Sequence, residues 1–428
     1  MDQKTEAKIR KKNMKLYPIY QMFGLDFMFY YVIELLFFVQ VKGLSTADVV
    51  LLQAFYAGFL IFMQFVVVII ASKITKKQSM ILGNILDLMY ILVIIFGTHF
   101  WIFVIAKLIV AIGVSIRNIT EATFLNSTIP ETKAHGDIFT KIDGKGYAKF
   151  SYLMAFTTAI AGFLFDVNPY IPMVLCVSCK LFAIIVASKF EDLEDEKQNK
   201  YNKEQATSKM TLEDIKDGFK FVLKSRRLKA LLLIIAVIWG LLCMQYTYKT
   251  ALLKDIGISV GVLGVIEAFI ELVKGVYSTK ANQFNKKYSN SLLTTIALSI
   301  TFTLILSGMI TLMNIDYKIQ AIFITILCTI IYVFKGVYQV IKKRYLANFV
   351  KEDTLFKVYA ANSIIDNVVK MIIAYIASVI LNFMNIRYAN LFIGIIFTIV
   401  VILISLYMKS RVGLKPEEYG ENDVEIIK

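Results

Sequence analysis

The chain has 428 residues, 57% of them hydrophobic, with a mean hydropathy of +0.65 and a formal net charge of +15. Soluble globular chains hold about half apolar residues, so this composition excludes an ordinary soluble domain and demands a low-dielectric surrounding. Two histidines, His99 and His135, lie far apart, and no G-x-x-x-x-G-K-[ST] occurs, which argues against a metal centre and against ATP-driven chemistry.

A bilayer core of ~30 Å needs ~20 apolar residues per helix. Twelve runs meet that length: 16–41, 47–71, 79–97, 100–120, 147–166, 169–189, 229–252, 258–278, 290–312, 317–341, 355–382 and 388–408. They are continuous rather than alternating, so they predict transmembrane helices and not barrel strands. Lys8, Arg10, Lys11, Lys12 and Lys15 precede the first run, which is too long for a signal peptide and is read as an uncleaved first helix.

Taken in chain order, the runs differ in their charges. The first holds Asp26 and Glu34, along with an aromatic group, Phe27, Phe29, Tyr30 and Tyr31, read as packing. The second ends in Ala71-Ser72-Lys73-Ile74-Thr75-Lys76-Lys77. The third holds Asp87, and the fourth holds Lys107, Arg117 and Glu121. The sixth holds Lys180, with Cys176 and Cys179 in mid-helix; all four cysteines, Cys243 and Cys328 included, are read as small packing residues. The seventh run carries Lys249 near its end. The eighth carries Glu267, Glu271 and Lys274 as one i, i+4, i+7 stripe, and is followed by Ala281-Asn282-Gln283-Phe284-Asn285-Lys286-Lys287. Lys335 lies in the tenth run, and Asp366 and Lys370 stand i, i+4 in the eleventh. The ninth and twelfth carry no charge.

If the runs alternate across the membrane, the segments on the N-terminal side hold 36 of the 47 Lys and Arg, and the opposite loops hold Lys42, Lys254, Lys318 and Arg387. Positive residues stay on the cytoplasmic side, so both termini are expected in the cytoplasm, with the protein in the cytoplasmic (inner) membrane. The basic balance is then a topology signal with some attraction to anionic membrane lipids, and no nucleic-acid partner is expected. Lysine outnumbers arginine 40 to 7, a bias that suggests an AT-rich bacterial genome.

The two lysine heptads, 210 residues apart, are read as tight polar turns. Gly43-Leu44-Ser45 before Gln53-Ala54-Phe55 is matched by Gly257-Ile258-Ser259 before Glu267-Ala268-Phe269, at an offset of 214. These matches, in the same order, predict an all-α integral membrane protein of twelve helices in two pseudo-symmetric six-helix bundles. The expected domains are 1–190, a linker 191–228, and 229–428. Within the linker, the charged Glu191–Lys200 stretch is expected to be disordered. Thr211–Asp214 is a capping-box pattern that opens an amphipathic helix through Ile215, Phe219, Val222 and Leu223. Parallel repeats of this kind are an architecture of secondary transporters.

On these residues the chain resembles the major facilitator superfamily. Ser72–Lys77 falls on the family's D-R-x-G-R-[RK] loop, and Asn282–Lys287 does so in the second half; the basic pair is kept, while the acid and the glycine are replaced in both. The resemblance implies gating loops at Ser72, Lys73, Lys76, Lys77, Asn282, Lys286 and Lys287, and leaves Asp87 or Glu121 to supply the missing acid. Lys107–Gly113 resembles the family's R-x-x-x-G-x-G segment, Ser115–Leu125 is similar to a bacterial subgroup, and Leu212–Phe221 is similar to the helix between halves.

The family fold further implies that spans 1, 2, 4, 5, 7, 8, 10 and 11 surround a central cavity. The expected substrate or proton pathway is therefore Asp26, Glu34, Lys107, Arg117, Glu121, Glu267, Glu271, Lys335, Asp366 and Lys370, with Asp87 and Lys180 as peripheral exceptions. Glu34 and Lys107 lie at equal depth in neighbouring spans and are expected to touch. Asp366 and Lys370 either pair within their helix or face span 8. The implied activity is secondary active transport of a small polar or charged organic solute by alternating access. Protons are the default coupling ion, and export is favoured by similarity to efflux relatives. A lipid or lysolipid translocator on the same fold is the alternative. An enzyme is not expected, no cofactor is implied, and a monomer is the default state.

Overall fold

In a computed structural model, residues 3–130, 135–193, 222, 226–278, 280–288, 291–349 and 352–411 are described. Their regular elements are all helical: α1 (Gln3–Gly24), α2 (Tyr31–Val41), α3 (Thr46–Lys73), α4 (Lys76–Phe96), α5 (Phe100–Thr128), α6 (His135–Val167), α7 (Tyr170–Ser188), α8 (Arg226–Asp255), α9 (Val260–Ser278), α10 (Ala281–Tyr288), α11 (Leu292–Leu312), α12 (Tyr317–Phe349), α13 (Glu352–Phe383) and α14 (Ile386–Arg411). Ten of them are long and apolar enough to cross a membrane. Two of the twelve expected spans fall outside that group for visible reasons. The first is broken into α1 and α2, and the eighth, α9, carries Glu267, Glu271 and Lys274.

The break corrects the reading of one continuous helix over 16–41. The α1 helix starts at Gln3, so the basic N-terminal cluster is itself helical. Between Gly24 and Tyr31 the chain leaves the helix, and Phe29 adopts φ 62°, a left-handed conformation unusual for a residue with a side chain. Asp26 Oδ1 accepts from the Phe27 N–H at 3.0 Å and from the Tyr31 hydroxyl, a local alternative to helical bonding. The α2 segment then passes through a 3-10 turn, one α turn and a π turn within eleven residues.

The repeated Gly-x-Ser signature has a structural meaning. Gly43 (φ 72°) and Gly257 (φ 97°) each end a helix in the left-handed conformation that a residue with a Cβ resists. The following residue or the glycine's neighbour closes the turn: Lys42 N donates to Phe37 O and Ile258 N to Leu253 O, both at 3.1 Å. Ser45 then caps α3, exchanging bonds with Asp48 in both directions. Ser259 plays the same part for α9 with a longer 3.5 Å contact to Val262 N.

The lysine heptads do not share one conformation. In the first copy the chain turns, and Thr75 caps α4 through a reciprocal bond pair with Gln78, leaving Lys76 and Lys77 at a helix start. The second copy is a helix of its own, α10, with Lys286 and Lys287 in its last turn. There they complement the helix dipole, which Lys76 and Lys77 oppose. The expected pair of matching turns is thus corrected to one turn and one helix; nothing in Ala281–Lys287 breaks a helix.

Two compact units divide the chain: Met1–Lys42 with Phe59–Lys209, and Gly43–Gly58 with Met210–Lys428. In the first, α4 packs against α5 and α7, and α1 packs against α6. Tyr17, Tyr20, Met80, Phe124, Val186 and Phe190 form a buried cluster that joins α1, α4, α5 and α7. In the second unit, α8 packs on α13, α9 on α12, and α11 on α14; Ser378 Oγ also donates to Ala47 O at 2.8 Å. The Glu191–Lys200 stretch beyond Leu193, the Thr211–Asp214 capping box and the Leu212–Phe221 helix lie outside the described residues.

Candidate functional site

In the first unit, Glu34 and Lys107 meet on α2 and α5. Lys107 Nζ lies 2.7 Å from Glu34 Oε1 and 2.9 Å from the Tyr90 hydroxyl, which is 2.8 Å from that of Tyr30. All four side chains are buried. Tyr90 gives the lysine a second oxygen and is itself bonded to Tyr30, so the pair is satisfied rather than merely close.

A second buried cluster lies around the α1–α2 break. Asp87 Oδ2 takes Arg117 Nη2 at 2.8 Å and Lys180 Nζ at 2.9 Å. The same two cations hold the freed end of α1: Arg117 Nη1 donates to Gly24 O and, at 3.1 Å, to Leu25 O, and Lys180 Nζ donates to Gly24 O at 3.1 Å. Carbonyls at a helix C-terminus carry partial negative charge, so the break and the cations account for one another. Glu121 lies 3.7 Å from Arg117 Nη1 and accepts from the Tyr20 hydroxyl at 3.0 Å. Asn84 Nδ2 donates to the same hydroxyl at 2.8 Å. Asp87 and Lys180, set aside as peripheral exceptions by sequence, are central here. Their signal in the sequence was a single opposite charge in mid-run on spans 3 and 6.

In the second unit, Lys249 on α8 is paired with Glu267 on α9 at 2.6 Å and with the Tyr332 hydroxyl on α12 at 3.0 Å. Glu271 pairs with Lys274 one turn along the same helix. Asp366 pairs with Lys342 on α12 and accepts from Asn362 Nδ2 at 2.9 Å. The expected Asp366–Lys370 pair within one helix is corrected by this: the carboxylate's partner is a lysine on another helix, and Lys370 instead sits 5.1 Å from the Tyr56 ring centroid. Lys335 lies 4.6 Å from the Tyr332 ring centroid. Sequence reasoning passed over Lys342, Tyr90 and Tyr332, since lysines at a run's end and tyrosines within runs are common.

Of the expected gating loops, Lys76 and Lys77 are half-buried, and Lys286 and Lys287 are exposed. The side chains of Ser72, Lys73 and Asn282 lie outside the described residues. Asp87 and Glu121, weighed as replacements for the missing acid, are engaged inside the bundle by Arg117, Lys180 and Tyr20. Asn285, in the second heptad, accepts from the Tyr345 hydroxyl at 2.9 Å.

These features define a polytopic helical membrane protein whose spans carry buried, mutually paired charges. The family model described as Major Facilitator Superfamily matches residues 16–334, and the chain belongs to that superfamily; it is a transporter rather than an enzyme. A comparison with curated proteins gives no match. The fold is similar to that of a crystallised nucleoside transporter, NupG (TM-score 0.68, 11% identity, covering 95% of this chain and 100% of that one). A mutant form of NupG gives a TM-score of 0.71 at 10% identity, with 94% and 99% covered. A POT family transporter in complex with 5-aminolevulinic acid gives 0.61 at 12% identity, with 94% and 96% covered.

Proposed function

We propose that this transporter is a proton-coupled secondary carrier that moves a small polar or charged organic solute by alternating access, with Glu34 and Lys107 as the coupling pair. The buried ion pair between them, 2.7 Å long and bridged to Tyr90, is the observation that carries the reading. A buried carboxylate gains a proton readily when its cation moves away and loses it when the cation returns. The pair can therefore couple a helix movement to proton uptake and release. Asp26, Glu121, Glu271, Lys335 and Lys370 are proposed to complete the polar pathway, and Arg117 is proposed to fix the break in which Asp26 lies. The domain limits proposed are 1–190, 191–228 and 229–428, in the cytoplasmic membrane with both termini inside. Export is the direction proposed, on the chain's resemblance to bacterial efflux relatives.

The test is flux through proteoliposomes under an imposed pH gradient, in both orientations of the gradient. Nucleosides and 5-aminolevulinic acid, named for the solved neighbours, head the compound panel. Accumulation above equilibrium that collapses with a protonophore supports the reading. Flux that ignores the gradient refutes the coupling.

A further inference from the structure

The second unit contains a lysine within a span that has no carboxylate at salt-bridge distance among the described residues. Lys249, Glu267, Glu271, Lys274 and Lys335 meet from α8, α9 and α12, three lysines against two glutamates. Glu267 is taken by Lys249 at 2.6 Å, and Glu271 is taken by Lys274. Lys335 is left without a carboxylate within 4.0 Å among the described residues. Its ammonium rests over the Tyr332 ring, 4.6 Å from the centroid. The Tyr332 hydroxyl is already taken by Lys249, whose own ammonium stands 4.4 Å from that ring's centroid. A ring face attracts a cation but carries no net charge, so the five side chains keep a formal charge of +1. A cation within a membrane span is costly and marks a pathway or a partner.

The exposure of the group is graded. The Lys249 and Glu267 side chains are 0% and 7% exposed, whereas those of Lys274 and Glu271 are 21% and 33% exposed. The α9 backbone at Lys274 packs directly on Gly336, beside Lys335, and Lys335 is itself only part-buried. Lys335 thus lies beside Tyr332 and next to the part-exposed Lys274–Glu271 end of the cluster.

We propose that Lys335 is the binding site for an anionic group of the transported solute, a carboxylate or a phosphate, which brings the cluster to neutrality. This deepens the transport reading above and rests on it. The aromatic floor holds the ammonium in place, while Glu267 and Glu271 are bonded to Lys249 and Lys274. Lys274 strengthens the local field for an anion, while its bond to Glu271 keeps it from binding one alone.

The test uses full-length purified protein in detergent, with benzoate, succinate and glucose 6-phosphate as probes and benzamide, succinamide and glucose as neutral counterparts. Labelling of Lys335 by an amine-reactive acetylating reagent is followed by peptide mass spectrometry. At least one anion should slow that labelling threefold or more, its neutral counterpart should not, and labelling of Lys286 and Lys287 should be unchanged. The same anion should raise the melting temperature of the wild type and of Lys335→Arg but not of Lys335→Gln. Equal labelling with every anion, or an undiminished thermal shift in Lys335→Gln, overturns the proposal. The wild-type labelling arm holds even if that variant fails to fold. Nanodiscs of phosphatidylcholine with and without phosphatidylglycerol separate the two anion sources: protection by phosphatidylglycerol alone makes the ligand a lipid phosphate and overturns the solute assignment. Solute flux without Lys335 protection overturns this site only, whereas protection without any flux supports the site and refutes the transport reading.

Discussion

Glu34 and Lys107 stand 73 residues apart in the chain and 2.7 Å apart in the fold, both buried, with the Tyr90 hydroxyl as the lysine's second oxygen. Removing one partner of a buried pair leaves the other uncompensated and costs roughly 3–5 kcal/mol, whereas removing both costs far less. Lys107→Met and Glu34→Gln should each lower the melting temperature in detergent, and the double variant should recover most of the loss. Additive losses would show that the two residues do not act as a pair.

Asp87 serves two cations, Arg117 and Lys180. Asp87→Asn therefore strands Lys180 and leaves Arg117 only its longer 3.7 Å contact with Glu121, while Lys180→Met leaves the Asp87–Arg117 pair intact. We expect Asp87→Asn to reduce the yield of monodisperse protein severely, and Lys180→Met to reduce it moderately. Comparable yields for the two, read by size-exclusion chromatography, would remove Asp87 from the centre of this cluster.

Phe29 holds a left-handed backbone at φ 62°, a conformation that costs a residue with a Cβ about 1–2 kcal/mol. Phe29→Gly and Phe29→Ala lose the same ring, but only glycine relieves the backbone. Phe29→Gly should melt higher than Phe29→Ala, the reverse of the usual order in a helix. The opposite order would mean that Phe29 is unstrained.

The contact of α9 with α12 depends on a missing side chain. A Cβ at Gly336 would lie 2.4 Å from Lys274 O and 3.1 Å from Ser278 N, both backbone atoms, while one at Gly275 meets nothing within 4 Å. Close approach through small residues is how membrane helices pack. Gly336→Ala should therefore lower the melting temperature and disturb the Lys335 surroundings, and Gly275→Ala should leave both unchanged. Thermal unfolding of the two variants side by side decides it.

The apolar runs announced the helical membrane fold because twenty residues without alternation leave few other structures. The glycine and serine of each repeat were legible because the left-handed turn and the cap impose residue types. The break in the first span was not legible: Leu25–Tyr30 contains no glycine or proline. The break is held by Arg117 and Lys180, whose bonds reach across 92 and 156 residues. Spacing likewise misled at Asp366. An i, i+4 lysine invites a pair within one helix, but Lys342 reaches the carboxylate from a neighbouring helix.

The most direct test of the account is pH-gradient-driven accumulation compared with solute exchange in proteoliposomes of wild type and Glu34→Gln, using any compound that the flux panel identifies. Wild type should do both. Glu34→Gln should exchange solute across the membrane at a rate within a few-fold of wild type and fail to accumulate it against a gradient. Undiminished gradient-driven accumulation by Glu34→Gln would contradict the account.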